Sequence, residues 1–395
     1  MADRPAVRVI VALEERFLLS DSGKVYSRAF GPEFWLRYLD VFESVSVVCR
    51  LEKCDEKLAG AQCIDDPRIR FFALPYYRGR LRFFLVFPFI LFALARASLM
   101  RGGFVIRLPG MVGSLLSIFL VVFRRKFAVE LVGDPDGVFS VGGVGGIFSP
   151  PLRWFFVGST KLACRMACAA SYVTSEMLQH KYPASPFAFA SHFSSVYIPG
   201  EAIVHHKRIR KYSEADVFRI LMVGSMEQVY KGFDILIDVL PSLVSRFPNI
   251  KVTIAGDGKC RPSLIRHSDS LGVGDNVEFI GDVSRDKVFD LMDSSDLFVM
   301  PSRTEGLPRA LIEAFSRGLP AIGSDVGGIS ELLDPEFCFP SDDRSALGDI
   351  LFEVIDDVCV RSRMSRANIA KAREYADEVL SERRLNFYSR IRDFF

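Results

Sequence analysis

Histidine is missing from the first 179 residues; the five histidines of the chain begin at His180. Any chemistry in that first stretch must therefore run without imidazole, the most frequent general acid and base in enzymes. The eight cysteines also include no CxxC pair. Cys164 and Cys168 are one helical turn apart, but no second pair of cysteines or histidines accompanies them, which argues against a zinc site. The first residues do not resemble a secretory signal peptide, so we expect buried thiols in a reducing cytoplasm.

Net charge is small as well. Fifty lysines and arginines stand against 48 aspartates and glutamates, which leaves a formal charge of +2. This value is too low to predict a nucleic-acid partner. The 395 residues are 49% hydrophobic, which excludes a disordered chain and leaves enough apolar material for two domains.

No apolar run reaches the roughly 20 residues that a membrane-spanning helix needs. The two longest, FFLVFPFILFALA (83–95) and MVGSLLSIFLVVF (111–123), have 13 residues each. We expect both to form buried core helices. A second interpretation stays open for the first run, since a basic and aromatic edge beside an apolar helix suits an anionic membrane surface. That edge consists of Tyr76, Tyr77, Arg78, Arg80 and Arg82.

Short β-rich runs alternate with segments of helical spacing. VRVIVAL (7–13) and VSVVCR (45–50) predict strands on either side of a helix at 31–42. The alternation resumes at FRILMVG (218–224), after a polar and basic stretch at 199–216 that we interpret as a linker. The pattern predicts an α/β protein with two Rossmann-like, doubly wound parallel-sheet domains.

We place the first domain at 1–205 and the second at 213–378. The tail from about 363 to 395 is charged and amphipathic, which predicts helix. We expect a helix at about 380–395 to return to the first domain. Ligands of such sheets bind beyond the carboxyl ends of the strands. Two of these domains are therefore expected to face each other across a cleft.

Two glutamates, Glu305 and Glu313, stand eight residues apart in the stretch PSRTEGLPRALIEAFSRGLPAIGSDVGG (301–328). Gly306 and Pro308 favour a turn into a helix between them. Bare N–H groups in the stretch from Leu307 through Pro308 and Arg309 to Ala310, at this helix start, suit a phosphate. The two carboxylates can accept hydrogen bonds from sugar and ribose hydroxyls, respectively. The alternative is a solvated helix face.

A lysine loop precedes this stretch in the sequence LMVGSMEQVYKGFD (221–234). A strand is predicted to end at Gly224, and Lys231 precedes the next helix. Lys231 can reach back over the strand ends and neutralise charge that grows on a leaving diphosphate. The alternative is a surface lysine at a helix start.

The order VGSMEQVYKGFDILI, IAGDG, EGLPRALIEA, GSDVGG resembles the donor-binding half of the retaining GT-B glycosyltransferases. The resemblance is to the glycogen-synthase-like group with an E-x7-E motif, and to bacterial enzymes that build cell-surface polysaccharides or glycolipids. It implies that Glu305 contacts the donor sugar, Glu313 the ribose and Lys231 the diphosphate. Amides from Leu307 to Ala310 would also reach the phosphates.

The resemblance implies further donor contacts at Gly224 and Ser225, and at Gly23, where the backbone would approach the diphosphate from the first domain. Many relatives carry an arginine where this chain has Ser225. Arg309 and Lys24 are the candidate replacements for that missing cation.

The family often has a histidine where this chain reads Gly133-Asp134. Asp134 is therefore a candidate catalytic and acceptor-side residue that accepts a bond from a hydroxyl. Asp134-Pro-Asp136 also spells D-x-D, a metal-diphosphate motif of a different glycosyltransferase fold. Lysine and helix-tip charge replace a metal in this family, so we predict none.

Two further features bear on the first domain. The glycines at 142–146 form either a phosphate loop or a flexible acceptor-side loop, and we favour the second. Arg107 ends a strand and is expected either to meet an anionic acceptor or to be a satisfied surface arginine.

The combined prediction is a retaining hexosyl-type glycosyltransferase without a cofactor. It would move a sugar from a UDP- or GDP-sugar to a hydroxyl of a lipid-linked or glycan acceptor, by front-face attack. We expect it in the cytoplasm, in peripheral contact with the inner membrane. The rivals are a nucleotide-sugar epimerase of the same fold, which the missing histidine disfavours, and a non-enzymatic sugar- or lipid-binding module.

Overall fold

A computed structural model describes residues 7–54, 61–139, 149–206, 209–212 and 216–395. The glycines at 142–146 lie outside these residues, as do positions 207, 208 and 213–215 of the expected linker. The chain divides into two compact units. The first comprises Met1–Asp136, Pro150–Phe193 and Ser381–Phe395, and the second Gly137–Ser149 and Ser194–Leu380. The domain bounds of 1–205 and 213–378 stay a prediction.

The described residues contain fifteen strands and fourteen α-helices. The strands are β1 (Arg8–Ser20), β2 (Val25–Ser27), β3 (Ser44–Cys54), β4 (Gln62–Ile64), β5 (Ile69–Leu74), β6 (Gly103–Leu108), β7 (Phe127–Leu131), β8 (Ala169–Tyr172), β9 (Phe189–His192), β10 (Phe218–Val223), β11 (Ile250–Ala255), β12 (Val277–Gly281), β13 (Leu297–Met300), β14 (Ala321–Ser324) and β15 (Cys338–Phe339). The helices are α1 (Pro32–Leu39), α2 (Arg80–Ser98), α3 (Met111–Val122), α4 (Pro135–Val138), α5 (Ser149–Met166), α6 (Met177–Lys181), α7 (Phe233–Arg246), α8 (Arg261–Ser270), α9 (Arg285–Ser294), α10 (Arg309–Ser316), α11 (Ile329–Leu332), α12 (Arg344–Asp356), α13 (Val358–Arg373) and α14 (Asp377–Phe394).

The sheet of the first unit is parallel across most of its width. β1 pairs with β3 on one side and β6 on the other; β5 extends the sheet beyond β3, and β7, β8 and β9 extend it beyond β6. A register shift between Ala12 and Arg16 separates two parts of β1. The second part pairs antiparallel with β2, which pairs in turn with β4. The strand predicted at 7–13 is thus the first part of a longer one.

The second unit contains a wholly parallel sheet. Its strand order is β12-β11-β10-β13-β14-β15. The chain builds outward from β10 through β11 to β12, and then returns to the other side of β10 to add β13, β14 and β15. Both units therefore confirm the predicted α/β class with Rossmann-like parallel sheets, and the reversal of strand order lies between β10 and β13.

The two apolar runs behave differently. Helix α3 is largely buried, with Val112, Leu116 and Leu120 in the core, as predicted. The expectation of a buried core helix was wrong for α2. It has 19 residues rather than 13, and only 22% of its window Leu81–Ser98 is buried. By length and composition this window could cross a bilayer. Periodicity did not reveal the exposed face because that face is as apolar as the buried one.

A buried carboxylate connects four elements of the first unit. Oε1 of Glu130 on β7 accepts bonds from the hydroxyls of Tyr388 on α14 (2.7 Å) and Tyr38 on α1 (3.0 Å). Its Oε2 accepts a bond from Arg107 Nη1 on β6 at 2.5 Å. Burial, followed by the charge of Glu130, raises the pKa of Tyr388 well above its ordinary value, so this hydroxyl keeps its proton. The network holds α14 against the sheet.

Candidate functional site

Lys231 and Glu305 meet at the reversal of strand order in the second unit. Lys231 ends a 3₁₀ turn after β10 (Val229–Lys231), and Glu305 lies in the loop between β13 and α10. Because β10 and β13 are parallel neighbours, these loops leave the same edge of the sheet. Lys231 Nζ lies 2.6 Å from Glu305 Oε1, and the side chains are only 17% and 9% exposed. The sequence predicted both residues, and the structure brings them together.

A serine fixes the same carboxylate oxygen. The Oγ of Ser302 donates a bond to Glu305 Oε1 at 2.8 Å. Ser302 is fully buried, and its carbonyl accepts a bond from Ser324 Oγ at the end of β14. Oε1 thus has two donors, whereas Oε2 has no hydrogen-bond partner among the described residues. One oxygen of Glu305 is held in place, and the other is available to a hydroxyl. Ser302 was not predicted, since nothing in the sequence distinguished it from other serines at strand ends.

Glycines allow the loops to close on each other. Gly232 has a φ of +69°, and a Cβ there would lie 1.9 Å from the carbonyl oxygen of Pro301. Gly327 has a φ of +54°, and its Cβ would lie 2.0 Å from the carbonyl oxygen of Glu305. The amide of Gly328 then donates to the carbonyl of Gly306 at 2.7 Å. These contacts explain why the glycines follow Lys231 and end GSDVGG: no other residue fits at such distances.

The start of α10 offers donors beside this pair. The helix begins at Arg309 and has no side-chain cap. The amides of Leu307, Arg309 and Ala310 donate to no acceptor within the described residues, so they are available to an anion. Pro308 has no N–H, and its contribution is limited to starting the helix. Lys231, whose ammonium can donate three bonds, adds a full positive charge.

Glu313 lies on α10, and its side chain is mostly buried. Its Oε1 lies 3.5 Å from Arg285 Nη2, at the start of α9. Burial raises the pKa of Glu313, and Arg285 and Arg309 partly oppose this rise. Arg285 also donates to the carbonyl of Tyr197. No pattern in the sequence pointed to Arg285, because this residue meets Glu313 only in the folded chain.

Among the described residues of the second unit, one candidate could supply the positive charge that is absent at Ser225. Ser225 is exposed, and its Oγ accepts a 3.3 Å bond from the amide of Glu227. Arg309 is exposed and makes no ion pair among the described residues, so it remains the candidate replacement. Lys24, in the first unit, is already paired with Asp65 at 2.6 Å. Lys24 is therefore the weaker candidate to replace that charge.

Gly23 and Arg107 are two other predicted residues of the first unit. Gly23 lies in the hairpin turn between β1 and β2, with a φ of +79° and no heavy atom within 4 Å of the position of a Cβ. Its donor contact stays a prediction. Arg107 is buried and bonded to Glu130. An internal carboxylate thus satisfies this arginine, for which we expected either an anionic acceptor or a position at the surface.

Asp134 belongs to a cluster at the end of β7. Its Oδ1 accepts a bond from the hydroxyl of Tyr182, and its Oδ2 one from Lys181 Nζ, both at 2.7 Å. Lys181 also bonds Asp136 at 2.8 Å, so an ammonium lies between the carboxylates of the D-x-D motif. Arg153 and then Lys181 lower the pKa of Asp136 to about 2. Lys181 and Tyr182 were not predicted as partners of Asp134, because they meet it only in the folded chain.

Comparison with known proteins shows what the second unit is similar to. Residues 206–372, which contain Lys231, Glu305 and Glu313, match the family Glycosyl transferases group 1. The two parallel sheets belong to the GT-B fold of such enzymes, because solved structures of similar fold cover nearly the whole chain.

Two curated relatives illustrate the similarity. The chain is 26% identical to Protein CapJ of Staphylococcus aureus over 328 residues, which is 80% of this chain and 79% of CapJ. It is 28% identical over 187 residues to the GDP-mannose-dependent monoacylated alpha-(1-6)-phosphatidylinositol monomannoside mannosyltransferase of Corynebacterium glutamicum. That match covers 45% of this chain and 49% of the mannosyltransferase.

Two solved structures show the fold. Sucrose-phosphate synthase from Thermosynechococcus elongatus superposes with a TM-score of 0.69 at 13% identity, covering 98% of this chain and 100% of the synthase. HepE of Anabaena, solved with UDP and glucose, gives a TM-score of 0.62 at 16% identity, covering 98% and 99%. The similarities support a glycosyltransferase and do not favour the epimerase alternative.

Proposed function

We propose that this glycosyltransferase moves a hexosyl group from a nucleoside diphosphate sugar to a hydroxyl, with retention of the anomeric configuration. The observation that supports the proposal is that Lys231 and Ser302 both bond the same oxygen of Glu305, Oε1. Lys231 and Ser302 hold Oε1 at 2.6 and 2.8 Å, so the carboxylate presents Oε2 in a fixed direction. The free amides at the start of α10 lie within the same loop. The proposed sugar and phosphate contacts would thus be grouped around a single turn.

Each donor group has a matching partner. The diphosphate would accept bonds from the amides of Leu307, Arg309 and Ala310 and from the ammonium of Lys231. A donor-sugar hydroxyl would bond Oε2 of Glu305. Ribose hydroxyls would bond Glu313. Carboxylates for the hydroxyls and N–H groups for the phosphates keep like charges apart.

The reaction requires one bond exchange at the anomeric carbon. The bond from this carbon to the diphosphate oxygen breaks, and a bond to the acceptor oxygen forms on the same face. The acceptor proton passes to the departing diphosphate, which therefore serves as the base. Lys231 stabilises the negative charge on that leaving group. Retention by this front-face route follows the resemblance to the E-x7-E group.

The acceptor is proposed to be lipid-linked or a surface glycan. Support comes from the name of the Corynebacterium relative, which describes a mannosyltransferase acting on a phosphatidylinositol mannoside. A UDP- or GDP-sugar donor is proposed on the same basis, together with the UDP in the HepE structure. We place the enzyme in the cytoplasm, at the inner face of the membrane, in bacterial surface polysaccharide or glycolipid assembly.

A donor screen tests the proposal. Purified protein is titrated calorimetrically with UDP and GDP, and then incubated with the sugars of the preferred nucleotide and a lipid-linked acceptor. We expect saturable nucleotide binding, release of nucleoside diphosphate that depends on acceptor, and an α-linked product from an α-linked donor. An inverted product would contradict retention. Conversion of the donor without acceptor would favour the epimerase, and no nucleotide binding would favour a simple binding module.

A further inference from the structure

Helix α2 presents an apolar stripe outward. Leu81, Leu85, Pro88, Phe89, Phe92 and Leu99 follow at helical spacing, and all are exposed. Phe84, Phe89 and Phe92 are each 66% exposed, and Leu81 is 77% exposed. The opposite side of the helix carries Ile90, Leu94 and Ala97, which are buried in the unit. A stripe of exposed large apolar side chains on one helix is a sign of a binding surface.

The sequence around this stripe contains no acidic residue. Residues 67–129 include no aspartate or glutamate, but they include eleven arginines and lysines. Arg78, Arg82, Arg96 and Arg101 are exposed, and none of the four makes an ion pair among the described residues. Arg78 and Arg82 lie at the start of the helix, and Arg96 and Arg101 at its end. The apolar stripe is therefore bordered by unpaired positive charge at both ends.

A groove runs beside the stripe. It has a volume of about 540 Å³ and separates α2 from the edge strand β5. Its walls are Phe71, Phe72, Leu74, Phe89, Phe92 and Arg96. The groove extends the apolar surface from the helix to the sheet edge and places a guanidinium at its border. This combination matches an acyl chain with an anionic head group better than a water-filled cleft.

The arrangement favours a helix that lies in a bilayer surface over one that spans it. Although α2 is long enough to cross a bilayer, Ile90, Leu94 and Ala97 pack into the first unit. Spanning would expose the sheet beneath them. A helix with one face buried in protein and the other apolar, bordered by arginines, fits the interface of an anionic membrane.

The charges also argue against a second copy of this chain on the stripe. Two such faces would bring the same unpaired arginines together without a carboxylate from residues 67–129 to neutralise them. Such like charges repel at close distance. An anionic lipid surface supplies the opposite sign and an apolar interior together.

We propose that the outward face of α2, with the groove beside it, inserts into anionic lipid and docks the protein on the membrane surface. The docking proposal identifies the surface that makes the peripheral membrane contact, and in that respect it rests on the proposed function. Docking is a binding event, however, and can be measured without sugar transfer.

The test uses the full chain and sedimentation with phosphatidylcholine vesicles, with and without phosphatidylglycerol. We expect binding to the anionic vesicles, little binding to neutral ones, and weaker binding at high salt. The triple substitution Phe84→Ser, Phe89→Ser and Phe92→Ser should reduce the partition coefficient at least about tenfold. These side chains are already exposed, so the urea midpoint and nucleotide binding should stay unchanged.

Trp154→Ser on α5 is the matched control, since this tryptophan is 81% exposed on another helix of the unit. It should bind vesicles like the unmodified protein. Equal binding by the triple variant, or loss of binding only in the Trp154 variant, would overturn the assignment to α2. A dimer in sedimentation velocity that the triple substitution abolishes would make the stripe a self-contact and would also overturn it. A protein that binds vesicles but no nucleotide would refute the proposed function and leave the docking surface intact.

Discussion

Lys231 Nζ and Glu305 Oε1 lie 2.6 Å apart although 74 positions separate the residues in the chain. They come from the loops after two adjacent parallel strands, and both side chains are mostly buried. The lysine fixes the carboxylate, and under the proposed function it would also neutralise the diphosphate of the donor.

Lys231→Ala should lower kcat about 100- to 1,000-fold, because it removes the charge that stabilises the leaving group. Glu305→Gln should lower it by a similar factor. The double variant should lose little more than either single one, since residues that act as a unit are not additive. Steady-state kinetics with the preferred donor measure all three.

Lys259→Ala is the control for the lysine change. Lys259 forms a 2.8 Å ion pair with Glu227 in the same unit, but its side chain is 85% exposed. Its loss should leave kcat within twofold of the unmodified protein, because an exposed pair of this kind contributes little. Full activity of Lys231→Ala would refute the site.

Ser302→Ala should lower kcat about tenfold while the Kd for the free nucleoside diphosphate stays unchanged. In the proposed site the serine would act only by positioning Glu305, and a hydrogen bond to a charged group contributes about 1.5–3 kcal/mol. Calorimetry with the nucleotide and kinetics with the sugar donor separate the two effects. A parallel loss of nucleotide affinity and of thermal stability would indicate a purely structural role.

Glu313→Gln should weaken nucleotide binding about tenfold, since an amide accepts hydroxyls less well than a carboxylate. It should also flatten the pH dependence of stability. Burial raises the folded-state pKa of Glu313 above the ordinary 4.5. Its favourable contribution to folding is therefore complete below 4.5 and is lost as the pH rises through the raised value.

Urea unfolding from pH 4 to 8 measures this difference. The Gln variant should lose less stability than the unmodified protein as the pH rises, and the exposed Glu278→Gln should behave like the unmodified protein. Identical pH profiles for all three proteins would show that Glu313 is not desolvated in solution.

Tyr388→Phe should lower the free energy of unfolding of the first unit by about 1–3 kcal/mol, because Glu130 loses one of its donors in a buried place. Tyr38→Phe should cost less, since its bond to the same oxygen is longer, 3.0 against 2.7 Å. Tyr197→Phe, with an exposed ring, should change the stability by no more than about 0.5 kcal/mol. Chemical denaturation gives all three values, and a larger loss for Tyr38→Phe would reverse the assigned order.

The sequence predicted the parts of this protein that local pattern determines. The alternation of β-rich runs with segments of helical spacing located the longer strands of both sheets and the helices between them. The order of the motifs located Lys231 and Glu305. The strands β2 and β4 have three residues each. They exist only through pairing with distant partners, so no local pattern marks them. The exposed side of α2 was hidden for a different reason: apolar residues surround the whole helix, and periodicity cannot then distinguish core from surface.

The missed site residues share one property. Ser302, Arg285 and Lys181 act on carboxylates of predicted residues, but each reaches its partner through the fold or through a turn. Their type and position are ordinary in sequence. Only the geometry of the carboxylate that they contact gives them a role.

The return of α14 to the first sheet has a consequence for synthesis in the cell. The partners of Glu130 include Tyr388, which the ribosome translates 258 positions later. A nascent first unit therefore stays incomplete while the entire second unit is made, with the cavity for α14 open. On the ribosome, the second unit would therefore complete its folding before the first unit does. Chains whose synthesis stops before α14 would carry an incompletely folded first unit, which proteases would degrade.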